Sequence, residues 1–182
     1  ARLAARRALA AWLDCALACP VIEAPGDAAP RIAGMSCGAP LAGTTAETGI
    51  SFSYADDRAL VAIAPGLRVG IDVEALAAPG RRARRDVGAI RAAYFGSPDP
   101  AGADAPPENP RAFMEDWTRH EALVKATGAG LTFPATETNP EDAGCSVTLI
   151  DIGPGHVAAI AASAAGFDVM VAAAPPVGAD QA

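Results

Sequence analysis

Two short runs of the sequence carry side chains that could act together on a phosphate. In VGIDVE, residues 69–74, Asp72 and Glu74 stand two apart. On a strand such residues project the same way, about 6.5 to 7 Å apart at the backbone, so both carboxylates can converge on one cation. In WTRHEALVKATGAGL, residues 117–131, Trp117, Glu121 and Lys125 fall at i, i+4 and i+8, a single helical stripe of anchor, acid and cation. Three carboxylates and a lysine suit a magnesium-bound phosphate, because the hard cation takes oxygen ligands and the ammonium offsets the remaining phosphate charge. Burying two carboxylates side by side is unfavourable without such compensation. Plainer readings stand beside this one: an edge strand with two solvated acids, and a surface Glu to Lys pair worth only about 0.2–0.5 kcal/mol.

The elements that must position these groups follow from pattern. Residues 2–18 are rich in Ala, Leu and Arg without glycine or proline, which predicts a helix closed by Pro20. The start superficially resembles a secretion signal, but Asp14 interrupts its apolar stretch and an amphipathic helix accounts for it better. Residues 24–49, broken by Pro, Gly and Thr, predict a loop. Then ISFSYA alternates, ALVAIA is continuously apolar, and the turn PGLR leads into VGIDVE, a set of paired strands. In the last of these Gly70, Asp72 and Glu74 share one face while Val69, Ile71 and Val73 share the other. A basic loop APGRRARRD, a short helix DVGAIRAAYF and a Pro-rich connection follow, before the longest helix, 111–127, which the glycines of GAG stop. CSVTLIDIG, HVAAIAAS and FDVMVAAA predict three more strands. The order predicts an α+β chain of two similar halves, 1–98 with the acidic strand and 99–182 with the long helix, built on antiparallel sheets rather than a parallel doubly wound one.

Composition narrows the function classes. Of 182 residues 51% are hydrophobic and 19% charged, which predicts a globular chain rather than a disordered one. The formal charge of −7 argues against general affinity for nucleic acid or an anionic membrane surface, so any anionic ligand needs a local cationic cluster. No apolar run is long enough to span a membrane, and a cytoplasmic protein is the expectation. Cys15, Cys19, Cys37 and Cys145 form no CxxC pair and sit at no zinc spacing, so they are expected as thiols in a reducing compartment.

Taken together, VGIDVE, a helix containing Tyr-Phe, and WTRHEALVKATGAGLTFP resemble the 4′-phosphopantetheinyl transferases of the broad-range, pseudo-dimeric type. Their signatures are G-(V/I)-D-(V/I)-E and W-(S/T)-x-K-E-(A/S)-x-x-K-x-x-G-x-G-L. SFSYADDRALVAIAP is similar to the N-(I/L)-S-H-S strand of that family, and the resemblance covers residues 38–134. It implies a pseudo-dimeric α+β fold in which one monomeric chain supplies the cleft. It also implies transfer of 4′-phosphopantetheine from coenzyme A to a serine of an apo acyl or peptidyl carrier protein, in polyketide, nonribosomal peptide or fatty acid synthesis. Asp72, Glu74 and Glu121 match the acidic triad that holds Mg2+ on the pyrophosphate, and Lys125 matches the lysine that contacts the phosphates. Glu121 is also the candidate general base, although a carboxylate committed to magnesium is a poor base. Ser53, Tyr54 and Arg2 match positions near the nucleotide phosphate of coenzyme A.

Three positions depart from the family pattern, and each removes positive charge near a polyanionic ligand. His120 stands where lysine is usual, Tyr54 where histidine is usual, and Ala39 where a lysine or arginine precedes the proline. His120 contributes to coenzyme A binding if a phosphate holds it cationic; otherwise it is a neutral neighbour of the site. The run RRARR, 81–85, could dock the acidic helix of a carrier protein or be a solvated loop, and His156 is expected to be structural. The departures leave a second function open, a catalytically weak homologue that binds carrier protein or coenzyme A. A third, an unrelated metal-dependent phosphoesterase, lacks the further Asp or His cluster it would need.

Overall fold

The computed structural model describes residues 2–23, 29–36, 48–76, 110–128 and 144–173. The 98/99 division between the expected halves, Ala39, the RRARR run and the DVGAIRAAYF helix all lie outside the described residues. Within them the chain is α+β, with small antiparallel sheets. Helix α1 spans Arg2–Trp12, strands β1 and β2 span Pro20–Glu23 and Arg31–Met35, and β3, β4 and β5 span Gly49–Ala55, Arg58–Ala64 and Val69–Ala75. Helix α2 spans Pro110–Thr127, followed by β6, Ser146–Ile150, and β7, His156–Ala162.

Three antiparallel sheets result: β1 with β2, β3 with β4, and β5-β7-β6 with β7 in the middle. The last joins early and late parts of the chain, Val69 opposite Ala162 and Glu74 opposite Val157. Helix α2 covers one face of that sheet through Ala122, Leu123 and Ala126, which pack with Ala159 and Ala161 of β7. Such small side chains let helix and sheet approach closely. The other face, with Val69 and Ile71, packs on Ala62 of β4. Ile50, Phe52, Val61 and Ile63 on the far side of the β3–β4 hairpin meet Leu9 of α1 and Ile22 and Ile32 of the β1–β2 hairpin.

Gly70 explains the closeness of α2 to β5. A Cβ there would collide with the backbone oxygen of Ala122 and stand 2.5 Å from the backbone nitrogen of Ala126. Only glycine leaves room, so the acidic face of β5 lies directly under the helix. At its far end α2 stops at Gly128, whose φ of 73° is left-handed. The Arg68 guanidinium donates to the Thr127 carbonyl there (3.1 Å), satisfying an end carbonyl and opposing the negative end of the helix dipole.

Several elements differ from the sequence pattern. The first helix ends at Trp12 rather than 18. Asp14 takes φ 49°, and the bonds Asp14 N–H to Ala11 O and Cys15 N–H to Ala10 O close a Schellman cap. Helix-favouring composition beyond Trp12 is overridden by that left-handed residue. Arg31–Met35, inside the expected loop, is a strand, held by the Glu23–Arg31 ion pair (2.6 Å) and by pairing with β1. The stretch beginning FDVMV, expected as a strand, carries no strand pairing over residues 167–173, and Met170 is 94% exposed. Cys19 and Cys145 are buried and Cys15 is half-buried. Among the described residues no helix is long and apolar enough to cross a membrane.

Candidate active site

Strand β5 and helix α2 run antiparallel across their contact, so the Trp117, Glu121, Lys125 stripe meets Glu74 and Asp72 in reverse order. The Lys125 ammonium lies 2.7 Å from Asp72 Oδ1, and the Trp117 indole Nε1–H donates to Glu74 Oε1 at 3.0 Å. Glu121, one helical turn from each, is buried, as are Trp117 and Asp72. The strand pair and the helical stripe, separated by more than forty positions in sequence, thus form one cluster.

Strand β3 supplies its remaining wall. Ser51 and Ser53 alternate on one face of the strand and both are buried. Ser53 Oγ donates to Asp72 Oδ1 at 2.9 Å, and Ser51 Oγ accepts from the Ile71 N–H at 3.1 Å. Lys125 also donates to the Ile71 carbonyl (3.2 Å) and reaches Ser53 Oγ at 3.4 Å. The β5 edge facing β3 is therefore satisfied at Ile71 by side chains instead of a backbone ladder. The gap between the two sheets is polar for that reason, and buried backbone groups require such partners.

Three carboxylates and one ammonium make this cluster electrically incomplete by simple count. Asp72 Oδ2 is buried without a hydrogen-bond partner among the described residues, an orphaned acceptor of the kind a cation satisfies. Oxygen donors of this type fit magnesium. Yet no group of three or more His, Cys, Asp or Glu is arranged to hold a metal ion among the described residues. Asp72 Oδ1 is turned to Lys125 and Ser53, and Glu74 Oε1 to Trp117.

The other expected residues fall differently. Tyr54 is 71% exposed and, next to Ser53 on the strand, projects to the opposite face, away from the acidic cluster. His120 is half-buried with its ring centroid 6.2 Å from that of Trp117, and burial pushes its pKa below the usual histidine value of 6.5. Desolvation disfavours the imidazolium, so without a ligand His120 is the neutral neighbour rather than a cation. Arg2 heads α1, and its side chain lies outside the described residues. His156 begins β7, its Nε2 3.5 Å from Asp57 Oδ1, on the opposite face of the sheet from the cluster. Sequence reasoning missed Ser51 and the hydrogen-bonding role of Trp117. The signals were present: two serines at strand period, and an indole N–H that needs an acceptor when buried.

The model of the 4′-phosphopantetheinyl transferase superfamily matches residues 68–166, from the residue before β5 to beyond β7 and including all of α2. No curated protein matches the chain.

Proposed function

Because the chain belongs to the 4′-phosphopantetheinyl transferase superfamily, we propose that it transfers 4′-phosphopantetheine from coenzyme A to a serine of an apo acyl or peptidyl carrier protein, with magnesium. The observation that carries this reading is the cluster of Asp72, Lys125 and Ser53, with Glu74 and Glu121 beside it. It joins a strand, a helix and a second strand around an unsatisfied carboxylate oxygen.

Asp72, Glu74 and Glu121 would hold the magnesium ion, whose chemistry is to withdraw charge from the pyrophosphate of coenzyme A. Lys125, whose side chain is 32% exposed, can reach a phosphate and neutralise part of its charge while still anchored on α2. The carrier serine hydroxyl attacks the phosphorus that bears pantetheine and forms the new O–P bond. The bond from that phosphorus to the bridging oxygen breaks, and 3′,5′-ADP leaves with the electron pair. Glu121, directly or through a water, takes the hydroxyl proton. One chain with two related halves would supply the whole cleft, so the enzyme acts as a monomer.

The test is mass spectrometry of apo carrier proteins incubated with the protein, coenzyme A and Mg2+. A mass gain of one phosphopantetheine is expected, and Glu121→Gln should slow it by a factor on the order of 100 or more with unfolding unchanged. Undiminished turnover in that variant refutes the role of Glu121. No gain with any carrier, alongside measurable carrier or coenzyme A binding, favours the second reading, an interaction module. That reading draws on the outward-facing Tyr54 and the neutral His120.

A further inference from the structure

The Lys125 ammonium has three N–H donors, and three oxygens surround it: Asp72 Oδ1 at 2.7 Å, the Ile71 carbonyl at 3.2 Å and Ser53 Oγ at 3.4 Å. They come from two strands, and the carboxylate is almost fully buried. This is a small cation cage, and the chain's own cation fills it. The same Asp72 is a proposed metal ligand, and a divalent ion beside it would repel an ammonium 2.7 Å from its Oδ1. Both cannot occupy the cage at full strength.

We infer that Lys125 is a tethered stand-in for the metal. In the ligand-free chain it pairs with Asp72, and it swings out to a phosphate oxygen as the divalent cation enters. The cation and the diphosphate therefore bind together, each weakly without the other. The inference rests on the transferase reading and adds the order in which that site fills.

Three features support the exchange. The lysine side chain is one-third exposed, so its head has a path to solvent, while Asp72 is fixed on a central part of β5. The second carboxylate oxygen, Asp72 Oδ2, is unpartnered and remains to be satisfied by whatever replaces the ammonium. Without a diphosphate, an expelled ammonium gains only water, and entry of the metal loses a part-buried ion pair. With a diphosphate present, the ammonium exchanges one anion for another. That difference is a positive coupling between the two ligands, and linkage makes it reciprocal.

Binding of Mn2+ to the full chain, followed by electron paramagnetic resonance with and without coenzyme A, tests this. The wild type is expected to bind Mn2+ at least tenfold more tightly when coenzyme A is present. Lys125→Met keeps the length of the stem without the charge. It should bind Mn2+ alone at least tenfold more tightly than wild type, and coenzyme A should strengthen Mn2+ binding by a smaller factor than it does in wild type. Equal Mn2+ affinity of the wild type with and without coenzyme A overturns the stand-in by itself, without depending on how the variant folds, and leaves the transferase reading intact. Unchanged Mn2+ affinity in a folded Lys125→Met does the same. Absence of Mn2+ binding under every condition, together with absence of transfer, overturns the transferase reading and the stand-in with it.

Discussion

Replacing Gly70 with alanine adds one methyl group and should damage both stability and the site. The new Cβ would stand 2.5 Å from the Ala126 backbone nitrogen, where ordinary contact begins at 3.4 Å, a shortfall of roughly 0.9 Å. The Ala122 carbonyl oxygen is closer still. Both are backbone atoms inside a regular helix, so no side chain can rotate away and α2 must move as a body. A retreat of at least about 0.9 Å along the packing direction would stretch the 2.7 Å Lys125–Asp72 and 3.0 Å Trp117–Glu74 contacts past hydrogen-bond length. Overpacking costs about 1–3 kcal/mol, and rigid backbone neighbours place this case at about 3. For a chain of this size about 3 kcal/mol lowers Tm by roughly 6–12 °C. Calorimetry gives the Tm, and the carrier transfer assay at a temperature where the variant is folded gives the effect on chemistry. A Tm within about 1 °C of wild type, with transfer intact, would refute the claim that Gly70 sets the distance between helix and acidic strand.

Other expectations concern the same contact surface. Trp117→Phe keeps an aromatic ring but deletes the N–H that holds Glu74, and should destabilise by about 1–3 kcal/mol in urea unfolding; no change in midpoint would show that the bond contributes nothing. His120 has a folded-state pKa below its unfolded value because burial disfavours the charged form. Below pH 6.5 the unfolded chain therefore binds more protons, and this residue's contribution to stability is lost as pH drops from 6.5 until its folded pKa is passed. His120→Gln should flatten the pH dependence of metal-free unfolding in that window, and a slope identical to wild type would contradict the assignment.

Much of the architecture was legible because its signals were local. Alternation in β3, the apolar runs of β4 and β7, and the uninterrupted 18-residue α2 placed those elements within a residue or two. Spacing alone put Asp72 and Glu74 on one strand face and Trp117, Glu121 and Lys125 on one helical stripe. The motif puts Tyr54 in the phosphate region, while strand alternation points it to the face opposite Ser53. What failed depended on tertiary partners. The β1–β2 hairpin has strands of only four and five residues, too short for a pattern to emerge. The FDVMV stretch has strand pattern without a strand partner among the described residues. Nothing local could reveal that Lys125 bonds Asp72 instead of facing solvent, since that depends on glycine at 70 admitting the helix.

The placement of β7 has a kinetic consequence. The strand lies between β5 and β6, yet in chain order it follows every other described element. Its junction with β5 reaches far back, as in the bond from the Arg68 N–H to Ser163 Oγ, 95 positions later. Non-local pairing of this kind forms slowly because loop closure precedes any reward. On the ribosome, where earlier segments emerge first, Asp72 and Lys125 are both made before the strand that completes the sheet beneath them. Alignment of Asp72 with Lys125 is thus expected late in folding, and a chain cut short of β7 would carry every residue of the cluster without the sheet that aligns them.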